Sequence, residues 1–193
     1  MNNNIEYYNN NSKEFIENTI NSDMSLWRDK FEKYIPDGGH ILDAGCGSGR
    51  DSKAFFKHGY SVVAFDASRE MCKFASEYLG FEVWQMRFDE ICFDEEFDGV
   101  WACASLLHVD ADKIADAMNN IKNELKDNGV IYASFKYGDG TTSKGDRSFT
   151  NMNKEGIAQL MAGCGFEILE CDISHDVRPD RNDEKWINVI ARK

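Results

Sequence analysis

Residues 40–51, His-Ile-Leu-Asp-Ala-Gly-Cys-Gly-Ser-Gly-Arg-Asp, place the tightest limit on how this chain can fold. A short apolar run ending in an acid, Asp43, reads as a buried strand. Gly45, Gly47 and Gly49 then let the backbone turn sharply and approach a ligand closely, because no Cβ stands in the way. A helix starting after the turn would aim its unpaired N–H groups into it. The next apolar run, Ser61 to Phe65, also ends in an acid, Asp66. Two carboxylates at the ends of adjacent strands, one beside a glycine turn, suit a ligand carrying hydroxyl donors and a positive charge.

Strand and helix patterns alternate from this point on. A helix over 49–58 stops at Gly59, and Ser68 is placed to cap a second whose Met71, Phe74, Ala75, Tyr78 and Leu79 share one face. Gly80 ends that helix. Strands are expected at 82–86, at Phe97 to Ala104 and at Val130 to Phe135. Between the last two lies a helix capped by Asp110 and closed by Asn128-Gly129. Asn153 caps a further helix that ends at Gly165, and strands follow at 166–173 and 185–191. Residues 13–35 read as helical, after a looser Asn-rich start. Such alternation predicts an α/β fold: a Rossmann-like, doubly wound, seven-stranded and mostly parallel sheet, its last strand antiparallel, with helices on both faces. The length fits one domain over 1–193, with a helical N-terminal lid over 1–36 and an α/β core over 37–193. Ligands in such sheets sit at the carboxyl ends of the strands.

Charge and cysteines narrow the partners. With 22 basic and 34 acidic residues the net charge is −12, which disfavours nucleic acid and anionic membrane surfaces. No signal-peptide pattern and no bilayer-length apolar run is present. The six cysteines form no C-x-x-C pair and no zinc spacing, and no metal site is expected. Reduced thiols in the cytoplasm are the expectation.

The glycine spacing excludes two common ligands. A dinucleotide fingerprint, G-x-G-x-x-G, would need glycine at 50 or 52, where the chain has Arg50 and Ser52. No G-K-[ST] is present, so a phosphate loop is excluded as well. What remains, D-x-G-x-G-x-G, resembles the first motif of the class I S-adenosylmethionine-dependent methyltransferases. Asp66 stands where that family's ribose-binding acid stands. Phe97-Asp98-Gly99-Val100 through Leu107-His108-Val109 resembles its fourth-strand motif. Lys126-Asp127-Asn128-Gly129 resembles the turn before its fifth strand, with Asp and Asn replacing Pro and Gly. The resemblance covers about residues 36–193 and is nearest the small bacterial tellurite-resistance-like and ubiquinone-biosynthesis-like group.

The resemblance implies S-adenosyl-L-methionine as cofactor, S-adenosyl-L-homocysteine as product and a small-molecule methyl acceptor, the chain acting as a monomer or homodimer. Asp43, Gly45, Cys46, Gly47 and Gly49 would line the methionyl half, Asp43 helping to hold the amino group or serving only as a strand-end cap. Asp66, with Ala67 and Met71 after it, would take the ribose hydroxyls or cap Ser68. Arg87, Phe88 and Asp89 follow the third strand, where the family contacts adenine; otherwise Phe88 is core and Asp89 a surface acid. Cys103, Ala104 and Ser105 would border the reacting centre. His108 is placed as a general base or as a structural histidine. Tyr8, Arg147 and Phe149 are candidate substrate contacts, the last two in a glycine-bearing loop over 137–150 read as a mobile lid. Tyr7, Met24 and Trp27 either close over the cofactor or pack the helices. Residues 178–181 form a solvated turn or a pocket rim. The competing functions are an S-adenosylmethionine-binding regulator without turnover and, against the glycine spacing, an NAD-dependent oxidoreductase.

Overall fold

A computed structural model describes residues 3–93, 96–178 and 181–193. Pro179 and Asp180 of the expected turn, and residues 1 and 2 of the Asn-rich start, lie outside them. Three short helices come first, α1 (Asn3–Asn10), α2 (Ser12–Thr19) and α3 (Ser25–Glu32). The expected helix over 13–35 is therefore broken. Asp23 explains the break: its Oδ1 accepts the Ser25 N–H at 2.8 Å, a local side-chain turn that competes with helix continuation.

Alternation then runs β1 (His40–Ala44), α4 (Arg50–Lys57), β2 (Ser61–Asp66), α5 (Arg69–Leu79), β3 (Trp84–Gln85) and β4 (Phe97–Ala102). It continues through a 3₁₀ turn (Leu106–His108), α6 (Ile114–Glu124) and β5 (Leu125–Lys136). The chain finishes with β6 (Thr141–Lys144), β7 (Arg147–Thr150), α7 (Lys154–Gly163), β8 (Glu167–His175) and β9 (Lys185–Arg192). One seven-stranded sheet has the order β3-β2-β1-β4-β5-β9-β8. The first five strands pair in parallel, and β9 is antiparallel to both β5 and β8.

The sheet is buried on both faces, which is why its central strands read as unbroken apolar runs. Ile41, Trp101, Val130 and Tyr132 pack on one face with Phe31 and Phe55 from α3 and α4. Leu42, Val100, Ile131 and Ala133 pack on the other with Ile121 of α6 and Ile157 of α7. Neighbours along each strand thus point to opposite cores.

Caps fall where the side chains supply them. Ser68 Oγ accepts the Met71 N–H, Gly80 ends α5 at φ +81°, and Asn153 accepts from Gly156. Two boundaries differ from expectation. Asp110 caps nothing: its carbonyl accepts the Lys113 N–H in a separate turn, and α6 starts at Ile114. Asn128-Gly129 does not close α6, which ends at Glu124. Asn128, at φ +63°, instead bends β5 beside a register shift against β4. The third strand shortens to two residues at the sheet edge. Among the described residues no helix is long and apolar enough to cross a membrane.

The loop over 137–150 is also not as expected. Most of it is a hairpin in which β6 and β7 pair from Thr141↔Thr150 to Lys144↔Arg147. A two-residue turn closes it, with Gly145 at φ +60°.

Candidate functional site

The carboxyl ends of the parallel strands open into a cavity of about 990 Å³. The glycine turn forms its floor. The Gly45 and Cys46 N–H groups both donate to the Phe65 carbonyl at 2.9 Å, which ties the turn to the end of β2. Gly45 sits at φ +79°, and a Cβ built on it would lie 2.5 Å from that of Ser105. Only glycine allows both the conformation and the approach. Gly49 has a different task. It precedes α4 at φ +75°, its missing Cβ faces Leu79 at 3.0 Å, and it does not line the cavity. That packing accounts for a glycine at position 49 independently of any cofactor.

Two acids sit beside the turn. Asp66 Oδ2 accepts the Gly47 N–H at 2.9 Å and Oδ1 accepts the Ser68 N–H at 2.8 Å. Burial pushes its pKa up, against the pull of these N–H groups. Asp43 Oδ2 accepts both the N–H (3.1 Å) and the hydroxyl (2.6 Å) of Ser52. Burial, with Asp51 nearby, raises Asp43 to about 7. Asp51 is itself buried, accepting from Arg28 (2.6 Å), Arg50 (2.6 Å) and the Trp101 indole (3.1 Å). Its burial alone would raise the pKa, but the Arg50 and Arg28 guanidiniums hold it below the usual carboxylate range.

The environment of the thiols beside the turn disfavours the thiolate. Burial pushes Cys103 up to about 12 and raises Cys46 well above the usual thiol value. Ala104, in the left-handed region at φ +52°, donates its N–H to Ser134 Oγ at 2.8 Å. Ser105 Oγ donates to the Ala44 carbonyl at 2.6 Å. Segment 103–105 is thereby pinned against β1 and β5.

Across the cavity, Tyr8 and His108 meet at 2.9 Å, hydroxyl to Nε2. His108 Nδ1 lies 3.2 Å from the Ser148 carbonyl, which can only accept. Nδ1 therefore carries the proton and Nε2 accepts from Tyr8. Burial lowers His108 to about 4, and burial raises Tyr8 to about 12. A neutral imidazole with both nitrogens engaged is arranged for positioning rather than for taking a proton. Asn4 of α1 bridges to the hairpin, accepting the Ser148 N–H at 2.8 Å. Asn9, at the other end of α1, accepts from Ser68 Oγ at 2.8 Å. One short helix thus spans from the end of β2 to β7.

Asp43, Gly45, Cys46, Gly47, Asp66, Ala67, Met71, Arg87, Phe88, Asp89, Cys103, Ala104, Ser105, His108, Tyr8, Arg147 and Phe149 all line this one cavity, as do Met24 and Trp27. Phe88 also packs edge-on against Phe65, so it is both lining and core. Arg87 and Asp89 pair with each other at the exposed rim. Tyr7 stands behind the wall, under the Arg147 guanidinium. Sequence reasoning missed Arg50, Asp51, Lys136, Asn188 and Trp186, which line the cavity as well. Position gave a signal for the first two, which open α4 directly after the turn. The other three lie on β5 and β9, where nothing local sets them apart.

A protein-family profile described as a methyltransferase domain matches residues 41–129. YqeM of Bacillus subtilis (strain 168), which carries a methyltransferase name, is 30% identical over 121 residues, covering 57% of this chain and 49% of that protein. The chain spans about half the length of the curated relatives it matches. Among solved structures, the Burkholderia thailandensis 1,6-didemethyltoxoflavin-N1-methyltransferase, with 1,6-didemethyltoxoflavin and S-adenosylhomocysteine bound, is similar at 19% identity. That match covers 98% of this chain and 84% of that one, with a TM-score of 0.79. The [4+2]-cyclase SpnF is similar at 16% identity over 98% of this chain and 94% of its own, with a TM-score of 0.73. At these identities the likeness is one of fold.

Proposed function

We propose that the chain is a class I S-adenosylmethionine-dependent methyltransferase, which transfers a methyl group from S-adenosylmethionine to a small-molecule acceptor by in-line displacement. The observation that carries this reading is Asp66. Its carboxylate is held rigid by one backbone N–H on each oxygen, inside the cavity. Each oxygen keeps a lone pair for a ribose hydroxyl. The residues present fit such a ligand: two acids stand beside a turn where a side chain at 45 would collide with Ser105.

When bound, the cofactor supplies an activated methyl group on a sulfonium. The protein's part is alignment and exclusion of water. Asp43 would meet the amino group of the methionyl half, with Phe88 and Met71 beside the base. Cys103, Ala104 and Ser105 would border the reacting pair. Tyr8 of α1 and Phe15 and Thr19 of α2 wall the cavity on the N-terminal side, as a helical lid over 1–36 would. His108 would hold Tyr8 in place rather than act as base. A fold that also hosts a cyclase does not choose the chemistry, and the acid placement carries the reading here. The −12 charge supports a small acceptor over nucleic acid, and six unpaired thiols support a reducing, cytoplasmic setting.

Thermal melting with S-adenosylhomocysteine tests this, with NAD as control and Asp66→Asn as a second protein. At ~100 times the dissociation constant, stabilisation of ~2.7 kcal/mol should raise the midpoint by roughly 5–10 °C. The variant should keep its fold and lose most of the shift. No shift in the unsubstituted protein would end the reading.

A further inference from the structure

The cavity has a second end, chemically unlike the first. Arg147 lines it from the start of β7. Its guanidinium carbon lies 4.4 Å from the Tyr7 ring centre and 5.5 Å from that of Phe149. Its Nε is buried with no hydrogen-bond partner, and among the described residues no carboxylate pairs with it. Lys136, in the same wall, sits 4.5 Å over the same Phe149 ring but is paired with Glu184 at 3.0 Å. Arg178 is likewise paired, with Asp176. Arg147 therefore brings positive charge without a counter-ion into a cavity wall, in a chain whose net charge is −12.

A cation taken out of water is costly to keep unless something pairs with it. The Tyr7 ring does not answer this, because an aromatic face accepts no in-plane hydrogen bond, and the neutral Tyr8 hydroxyl that Arg147 also meets brings no negative charge. The guanidinium's remaining donors, the unpartnered Nε among them, form a fork that matches the two oxygens of an oxyanion. Burial is the larger cause of the low His108 pKa, but Arg147 and Lys136 push it the same way, as a locally positive wall would.

We propose that the end of the cavity around Arg147 binds an oxyanion group, carboxylate or phosphate, on the methyl acceptor, with Arg147 as its docking charge. That this anion belongs to the methyl acceptor rests on the methyltransferase reading; the anion site itself does not. Acids at the glycine turn and a cation at the hairpin would then orient two ligands of opposite charge in one cavity.

Calorimetric titration of the protein saturated with S-adenosylhomocysteine tests this, using benzoate, acetate and inorganic phosphate as probes and benzamide as the neutral control. At least one anion should bind and benzamide should not; which anion binds separates carboxylate from phosphate. Arg147→Gln should weaken that anion roughly 10- to 100-fold, the worth of a hydrogen-bonded charge. The benzoate–benzamide contrast in the unsubstituted protein keeps the test decisive even where the substitution disturbs α1. Binding of none of the three anions, equal binding of benzamide and benzoate, or undiminished anion binding in Arg147→Gln each overturns the proposal. Failure of S-adenosylhomocysteine itself to bind sinks the methyltransferase reading instead, and the anion titration is then read on the protein alone.

Discussion

Ser105 occupies the space that a side chain on Gly45 would need. A Cβ at position 45 would stand 2.5 Å from the Ser105 Cβ, while the Ser105 hydroxyl is fixed to the Ala44 carbonyl at 2.6 Å. The glycine turn after β1 and the segment after β4 are therefore one interlocked unit, and the cavity floor takes its shape from that fit.

The interlock predicts a coupled pair of substitutions. Gly45→Ala meets both the clash and a φ of +79°, and should cost about 1–3 kcal/mol for each of the two causes. Adding Ser105→Gly should relieve the clash but not the backbone strain, recovering part of the loss. A double-mutant cycle by urea denaturation measures this. Strict additivity of the two changes would show that the positions do not collide.

Asp51 predicts the largest loss. It stands buried between Arg28 and Arg50, with the Trp101 indole on the same carboxylate. Asp51→Ala strands two cations and an indole N–H, which should cost roughly 3–5 kcal/mol. A loss under about 1 kcal/mol in denaturant titration would mean the cluster does not hold α3 against α4.

His108 predicts a pH signature. Its folded pKa, lowered to about 4 by burial, lies below the ordinary value of 6.5. Between these values the unfolded chain binds the proton and the native state does not, so this group's stabilisation is complete above 6.5 and is lost as pH falls towards 4. His108→Gln should flatten that part of the stability profile relative to the parent protein. The His108 ring resonances should also stay fixed from about pH 8 to 5. A midpoint near 6.5 would contradict the neutral, Tyr8-bound imidazole and restore it as a candidate base.

What the sequence determined by itself was local or periodic. The glycine turn, the acids closing β1 and β2, the Ser68 and Asn153 caps and the two-sided burial of the sheet follow from spacing and residue type within short windows. These features also brought out the part of the cavity lining that lies at the strand ends, because strands of a parallel sheet deliver their carboxyl ends to one edge. Tertiary structure decided what depends on distant partners. Gly49 carries the same glycine signal as Gly45 but turns out to face Leu79. Tyr8 and His108, a hundred residues apart in sequence, meet only because α1 crosses to the hairpin. Whether a histidine can take a proton, or an arginine lacks its counter-ion, depends on desolvation and on which neighbours arrive. Neither quantity is set until the chain has closed around the side chain.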